Sequence, residues 1–196
     1  MSLIAGNLAV VQRLLDSQHL PWGVFAGAAA HLYGHRRPIQ DVDLLVPRGQ
    51  IAVVVKLLQN SGKAVQYDGQ RILWRGIKIF DDLTVRRAGR FYPFIFDGPM
   101  QARLRRLPLL GAPVRLLAPE DVIVHKLLLA RGPAEGKHDL TDAAVVARRQ
   151  HLDLDYLWER VRLAQAEALI KEALEGLLAS GDGEDGSEVA REPAAV

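Results

Sequence analysis

Residues 23–47 read GVFAGAAAHLYGHRRPIQDVDLLVP, and the order of elements within that stretch decides the fold. An apolar strand begins at Trp22 and closes on Gly27; AAAHLYGH is a short helix stopped near Gly34; PIQDVDLLVP is a second strand bounded by Pro38 and Pro47. Successive side chains of a strand point to opposite faces, so Asp41 and Asp43 project one way while Val42 and Leu44 face the core. At ~3.3 Å rise per residue the two Cα atoms lie roughly 6.5–7 Å apart. Both carboxylates then reach one hard cation, or one each of two adjacent cations, and oxygen-only ligation favours Mg²⁺ or Mn²⁺. Taken alone, Asp-x-Asp is also a common pair of solvated acids. Here a strand, Gly27 and a helix start precede it, an arrangement that offers backbone N–H groups to a phosphate and a close backbone approach. His35, Arg36 and Arg37 place cations between the turn and the acids.

Outward from this core, residues 3–17 repeat apolar positions at helical spacing, and IAVVVKLLQNSG is a helix stopped by Ser61-Gly62. AVQYDGQRILWRGIKIFDDLTV predicts strands around an Asp68-Gly69 hairpin, and RFYPFIFDGPM is aromatic and extended. PVRLLAPEDVIVHKLLLAR passes from a strand into a helix with Pro119 in its first turn. KHDLTDAAVVARRQ and the segment from Leu152 add two or three more helices. The expected division is 1–117 as an α/β core, 118–179 as a helical region packed on it, and 180–196 as a glycine-rich acidic tail.

The 196 residues suffice for a sizeable core, and the net charge of +2 is too small to argue for nucleic acid by itself. Absence of cysteine excludes a disulfide framework, a thiolate zinc site and a cysteine nucleophile, and suits the cytoplasm. The N-terminal stretch reads as an amphipathic helix rather than a signal peptide, and no apolar run approaches the ~18 residues of a membrane span. His31 and His35 have the i, i+4 spacing of a zinc pair, but Gly34 breaks the helix between them and no third ligand is evident, so packing or surface roles are expected. Trp22, Trp74 and Trp158 read as core or rim residues. The clusters Arg86, Arg87, Arg90 and Arg103, Arg105, Arg106 read as charged faces, or as borders that steer an RNA or nucleotide.

The quoted stretch resembles the signature of the DNA polymerase β-like nucleotidyltransferase superfamily: Gly-(Gly/Ser), a helix, then Asp-x-Asp on the next strand. VRLLAPEDVIVHKLLLARG and KHDLTDA resemble its small branch of minimal nucleotidyltransferases and AbiEii-type toxins, and the likeness covers roughly residues 20–150. The resemblance implies an α/β (α+β) fold, a mixed sheet flanked by helices with a C-terminal helical region. It implies Mg²⁺- or Mn²⁺-dependent transfer of a nucleoside monophosphate from a triphosphate to a hydroxyl of tRNA, protein or a small molecule, with an antitoxin as partner if the chain is a toxin. It places Gly27 and Ala28 at the phosphate turn, Asp41 and Asp43 at the metal, and Arg36 or Arg37, Lys126 and Lys137 near the nucleotide. For Asp139 a helix N-cap role is expected.

Three positions depart from the pattern. Ala28 stands where Ser or Gly is usual, Ile39 where Thr is usual, and Phe80 where the third carboxylate tends to be. If Ile77 and Ile79 face the core, Lys78, Phe80 and Asp82 face the site, which favours Asp82 as the third metal ligand. Asp81 requires a bulge or a register shift, and Asp97 is a weaker third choice that otherwise reads as a turn residue beside Gly98 and Pro99. The departures favour an alternative: a degenerate member that keeps the fold and serves as a nucleotide-binding or interaction module.

Overall fold

The computed structural model describes residues 3–181. The acidic tail expected from residue 180 therefore lies, from 182 onward, outside the described residues. An amphipathic helix α1 (Leu3–Ser17) buries Leu8, Val11 and Leu15 and leads into β1 (Gly23–Phe25), α2 (Ala26–Leu32) and β2 (Val42–Leu45). Then follow α3 (Ile51–Asn60), β3 (Gln66–Tyr67), β4 (Arg71–Trp74), β5 (Ile77–Phe80), β6 (Leu83–Arg87), β7 (Arg90–Phe94) and α4 (Gly98–Ala102). The remainder is β8 (Arg105–Leu109), β9 (Ala112–Leu116), α5 (Pro119–Leu129), α6 (Asp139–Arg149), α7 (Leu154–Leu163) and α8 (Glu167–Gly181). Among the described residues no helix is long and apolar enough to cross a membrane.

Seven strands form one mixed sheet in the order β3-β4-β5-β2-β1-β9-β8, and β6 and β7 form a separate hairpin. β1 runs antiparallel to β2, which pairs parallel with β5; on its other side β1 pairs parallel with β9. This is the mixed sheet with flanking helices that the sequence predicts. Its borders are the two-residue β3 and β8, where Arg105, Arg106 and Pro108 are exposed.

The centre of the sheet is apolar, as buried strands require: Val24, Val42, Leu44, Leu45, Ile77 and Ile79 have almost no exposure. β1 opens on a glycine against which the ends of two leucine side chains pack. A Cβ on Gly23 would lie 2.4 Å from Leu117 Cδ1 and 2.9 Å from Leu104 Cδ2. α5 packs against α2, α6, α7 and α8, and every residue from Pro119 to Leu128 is buried, charged ones included. Trp22 and Trp74 are buried, and Trp158 packs partly buried against the core.

Candidate active site

At the end of β1 the chain turns sharply into α2. Ala26 sits there at φ +54°, a left-handed conformation that costs an L-residue about 1–2 kcal/mol. The turn falls at Ala26–Gly27, one residue earlier than the expected Gly27–Ala28. Ala28 points into the core and does not line the cleft, because α2 has already begun. At Gly27 a Cβ would stand 3.1 Å from Nη2 of Arg37, so the missing side chain lets that guanidinium lie over the turn.

Asp43 occupies the middle of the sheet, in register with Phe25 of β1 on one side and Lys78 of β5 on the other. Asp41 immediately precedes β2, and the buried Val42 and Leu44 take the opposite face, as the period of two demands. Both acids line a cleft of about 320 Å³. Burial, then the charge of Asp41, raises the Asp43 carboxyl to about 6, with Lys78 acting in the opposite direction. The Lys78 ammonium donates to Oδ2 of Asp41.

The register does not bring the expected third carboxylate to this pair. Lys78 and Phe80 do face the cleft, but β5 ends at Phe80, and Asp82 lies beyond it, bridged to Arg48 at 2.9 Å. Asp81 Oδ2 accepts from the backbone N–H groups of Gly49 and Ile51 at 3.0 Å each, at the start of α3. Asp97 caps α4 through Met100 N at 3.0 Å and pairs with Arg160 at 2.5 Å. Each of the three candidates is thus committed elsewhere. Among the described residues no three His, Asp or Glu side chains converge as a metal set. What remains is an oxygen-only pair that suits one hard divalent cation.

The opposite wall is a buried ionic lattice between α5 and α6. Lys126, 3% exposed, donates to Asp139 at 2.8 Å and pairs with Asp142 at 2.5 Å. Asp142, with no exposure, also accepts from Arg37 Nε at 3.2 Å and Nη2 at 2.8 Å, and pairs with His35 Nδ1 at 2.5 Å. Asp139 accepts from Arg131 Nε at 2.7 Å. Burial works to raise both carboxyls, but hydrogen bonds from Arg131 and Lys126 at Asp139, and from Arg37 and Lys126 at Asp142, hold them below the usual range. Asp139 is therefore not the N-cap; His138 holds that position, and the Asp139 carboxylate turns inward.

Of the expected nucleotide residues, Gly27, Arg37, Lys126 and the exposed Lys137 line the cleft, whereas Arg36 is exposed and does not. Arg71, Arg131, His125 and His138 line it unforeseen, and Lys78 lines it as alternation along β5 predicts. Asp142 was missed as well, although its i, i+3 spacing from Asp139 places the two on one helix face. His31 and His35 have separate partners, the Arg37 carbonyl and Asp142. The basic clusters lie outside the cleft lining: Arg87 donates to the Leu127 carbonyl at 2.6 Å, and Arg103 stacks on Tyr156 at 4.0 Å.

A family profile described as "Uncharacterised nucleotidyltransferase" matches residues 2–176. No curated protein matches the chain significantly. Among solved structures, ANT(2'')-Ia in complex with adenylyl-2''-tobramycin is similar at 16% identity and a TM-score of 0.48, over 92% of this chain and 97% of that one. The lincosamide antibiotic adenylyltransferase LnuA, lincomycin-bound, is similar at 15% and 0.47, over 73% and 96%. An antigenic nucleotidyltransferase-like protein from Paracoccidioides brasiliensis is similar at 20% and 0.45, over 88% and 90%.

Proposed function

This chain belongs to a nucleotidyltransferase family, and from that premise we propose that its cleft moves a nucleoside monophosphate from a nucleoside triphosphate to a hydroxyl acceptor. The observation that supports this reading is the charge arrangement of one cleft. Asp41 and Asp43 stand on one wall, and Arg37, Arg71, Lys78, Lys126, Arg131 and Lys137 surround them. Such an excess of cations suits a triphosphate, and the paired acids suit its metal.

In this reading Asp41 and Asp43 hold Mg²⁺ or Mn²⁺, which when bound neutralises phosphate charge and orients the reacting phosphorus. Arg37, Lys126 and Arg131 bind phosphate oxygens in positions already fixed by Asp139 and Asp142, so little side-chain entropy is lost on binding. Gly27 allows the phosphates to approach the backbone, and Lys137 closes over them from the rim. The α/β half, 1–117, carries the metal acids, and the helices of 118–179 supply the phosphate-binding wall. Asp82, Ala28 and Arg36 drop out of the proposed set. The AbiEii-type resemblance favours RNA or protein as acceptor and a toxin role held in check by an antitoxin. Among the described residues no third carboxylate joins Asp41 and Asp43, which favours the second reading, a nucleotide-binding module without turnover.

Label transfer from α-labelled nucleotides to total tRNA, to lysate protein or to small hydroxyl compounds, with Mg²⁺ or Mn²⁺, separates the two. Transfer by the wild type, lost in Asp41→Asn and Asp43→Asn, is expected. Transfer that persists in both variants would remove the metal assignment. A folded wild type that binds nucleotide and transfers nothing would leave the module.

A further inference from the structure

The position that faces Asp43 across the parallel pair is a lysine. β2 and β5 are in register at Asp43 and Lys78, and the Lys78 ammonium bonds to Asp41. Its side chain is 33% exposed and lies at the cleft surface. Every carboxylate that follows on the chain near β5 is held by other groups: Asp81 by α3 and Asp82 by Arg48. Two divalent cations about 3.5–4 Å apart require anionic ligands on both sides of the pair. Here one side carries a positive charge already in contact with one of the two acids. Among the described residues a second dication placed there meets no third converging carboxylate, Asp139 across the cleft being held by Lys126 and Arg131, and it meets a cation at short range.

Building on the transferase reading, we infer that Lys78 takes the place of a second metal ion, so that Asp41 and Asp43 hold a single divalent cation. The ammonium balances Asp41 before that cation arrives and competes with it for the carboxylate. Lys78 is thus a positioning residue that sets metal number and affinity.

The test is uptake of Mn²⁺ alone by the full chain, followed by electron paramagnetic resonance, with thermal unfolding to verify each variant's fold. The wild type is expected to take up one ion per chain with no spin coupling. Lys78→Met should keep that count and bind about tenfold more tightly or better, the order expected for removing one charge beside the metal. Lys78→Asp should take up two ions and show a coupled Mn²⁺ pair. Two ions in the wild type overturn the inference while leaving the transferase reading in place. Variants that match the wild type in count and affinity overturn it too; Lys78→Met carries that comparison by itself if Lys78→Asp does not fold. A wild type that takes up no Mn²⁺, like Asp41→Asn, removes the inference and the metal-dependent reading together.

Discussion

At His125 the imidazole packs between Phe25 and Phe94, with ring centroids 5.1 Å from each. Its Nδ1 has no hydrogen-bond partner among the described residues. Burial, then the neighbouring Lys126, pushes its pKa down from 6.5 to about 3, and Asp139 only partly opposes them. The unfolded chain therefore takes up a proton below pH 6.5 that the folded chain refuses. The stability contributed by the neutral ring is complete above pH 6.5 and is lost as pH falls toward 3. Urea unfolding of wild type and His125→Leu should show the difference: between pH 7 and pH 5 the wild type loses roughly 2 kcal/mol more than the variant. At this scale the paired acids were legible, because a period of two places Asp41 and Asp43 on one face with no knowledge of neighbours. The bond from Lys78 to Asp41 was not, since it depends on the register of β5 against β2, two segments separated by a helix and a hairpin. Alternation correctly turned Lys78 and Phe80 to the cleft but carried on to Asp82, where the strand has already ended.

α5 shows what an element adds to its residues. The sequence PEDVIVHKLLL contains two acids, a histidine and a lysine, yet it is enclosed on all sides because α2, α6, α7 and α8 pack round it. Its acids and its lysine find hydrogen-bond partners beyond the helix, although burial raises the Asp121 carboxyl to about 7. Glu120 accepts from Asp153 N at 2.8 Å, Asp121 from the Tyr156 hydroxyl at 3.0 Å, and Lys126 reaches both acids of α6. Removing Lys126 takes a shared cation from two buried carboxylates, leaving Asp139 to Arg131 and Asp142 to Arg37 and His35, so Lys126→Met should cost about 3 kcal/mol in urea unfolding, the low end for a broken buried pair. Adding Asp139→Asn should return part of that loss, since the two positions couple through the contact. The helix stops at Ala130, whose φ of +44° lies in the left-handed region, while its N–H still bonds the Lys126 carbonyl at 2.8 Å. Glycine adopts that conformation freely; Ala130→Gly should therefore stabilise by about 1 kcal/mol and raise the melting temperature by a few degrees. Strand and helix order could be read from apolar periodicity and from Gly and Pro punctuation. The depth of α5 could not, because a sequence carrying Glu, Asp, His and Lys reads as half-exposed until its neighbours are known.

Over the whole molecule, Asp41 and Asp43 come from the sheet half and Lys126, Arg131 and Lys137 from α5 and the segment that joins it to α6, so the cleft lies where the two meet. Ligand binding should therefore tie them together. A non-hydrolysable nucleoside triphosphate with Mg²⁺, at about 100 times its Kd, should add about 2.7 kcal/mol to unfolding free energy. Differential scanning fluorimetry at rising salt should show that gain shrinking, as screening weakens the contribution of the cationic wall. The general position of this cleft was legible from the β1–α2–β2 stretch. Arg37 and Lys126 were expected there, but the ionic lattice of the far wall was not, since the two meet Asp142 only through long-range packing. The borders of the sheet carry a separate consequence. β3 spans only two residues, and β8 presents Arg105, Arg106 and Pro108 outward. A stub offers little backbone to recruit, a proline supplies no N–H, and paired arginines repel an identical neighbour. Edge-to-edge growth of copies into fibrils, the standing hazard of any open sheet, is thus obstructed at both borders by the residues that end it.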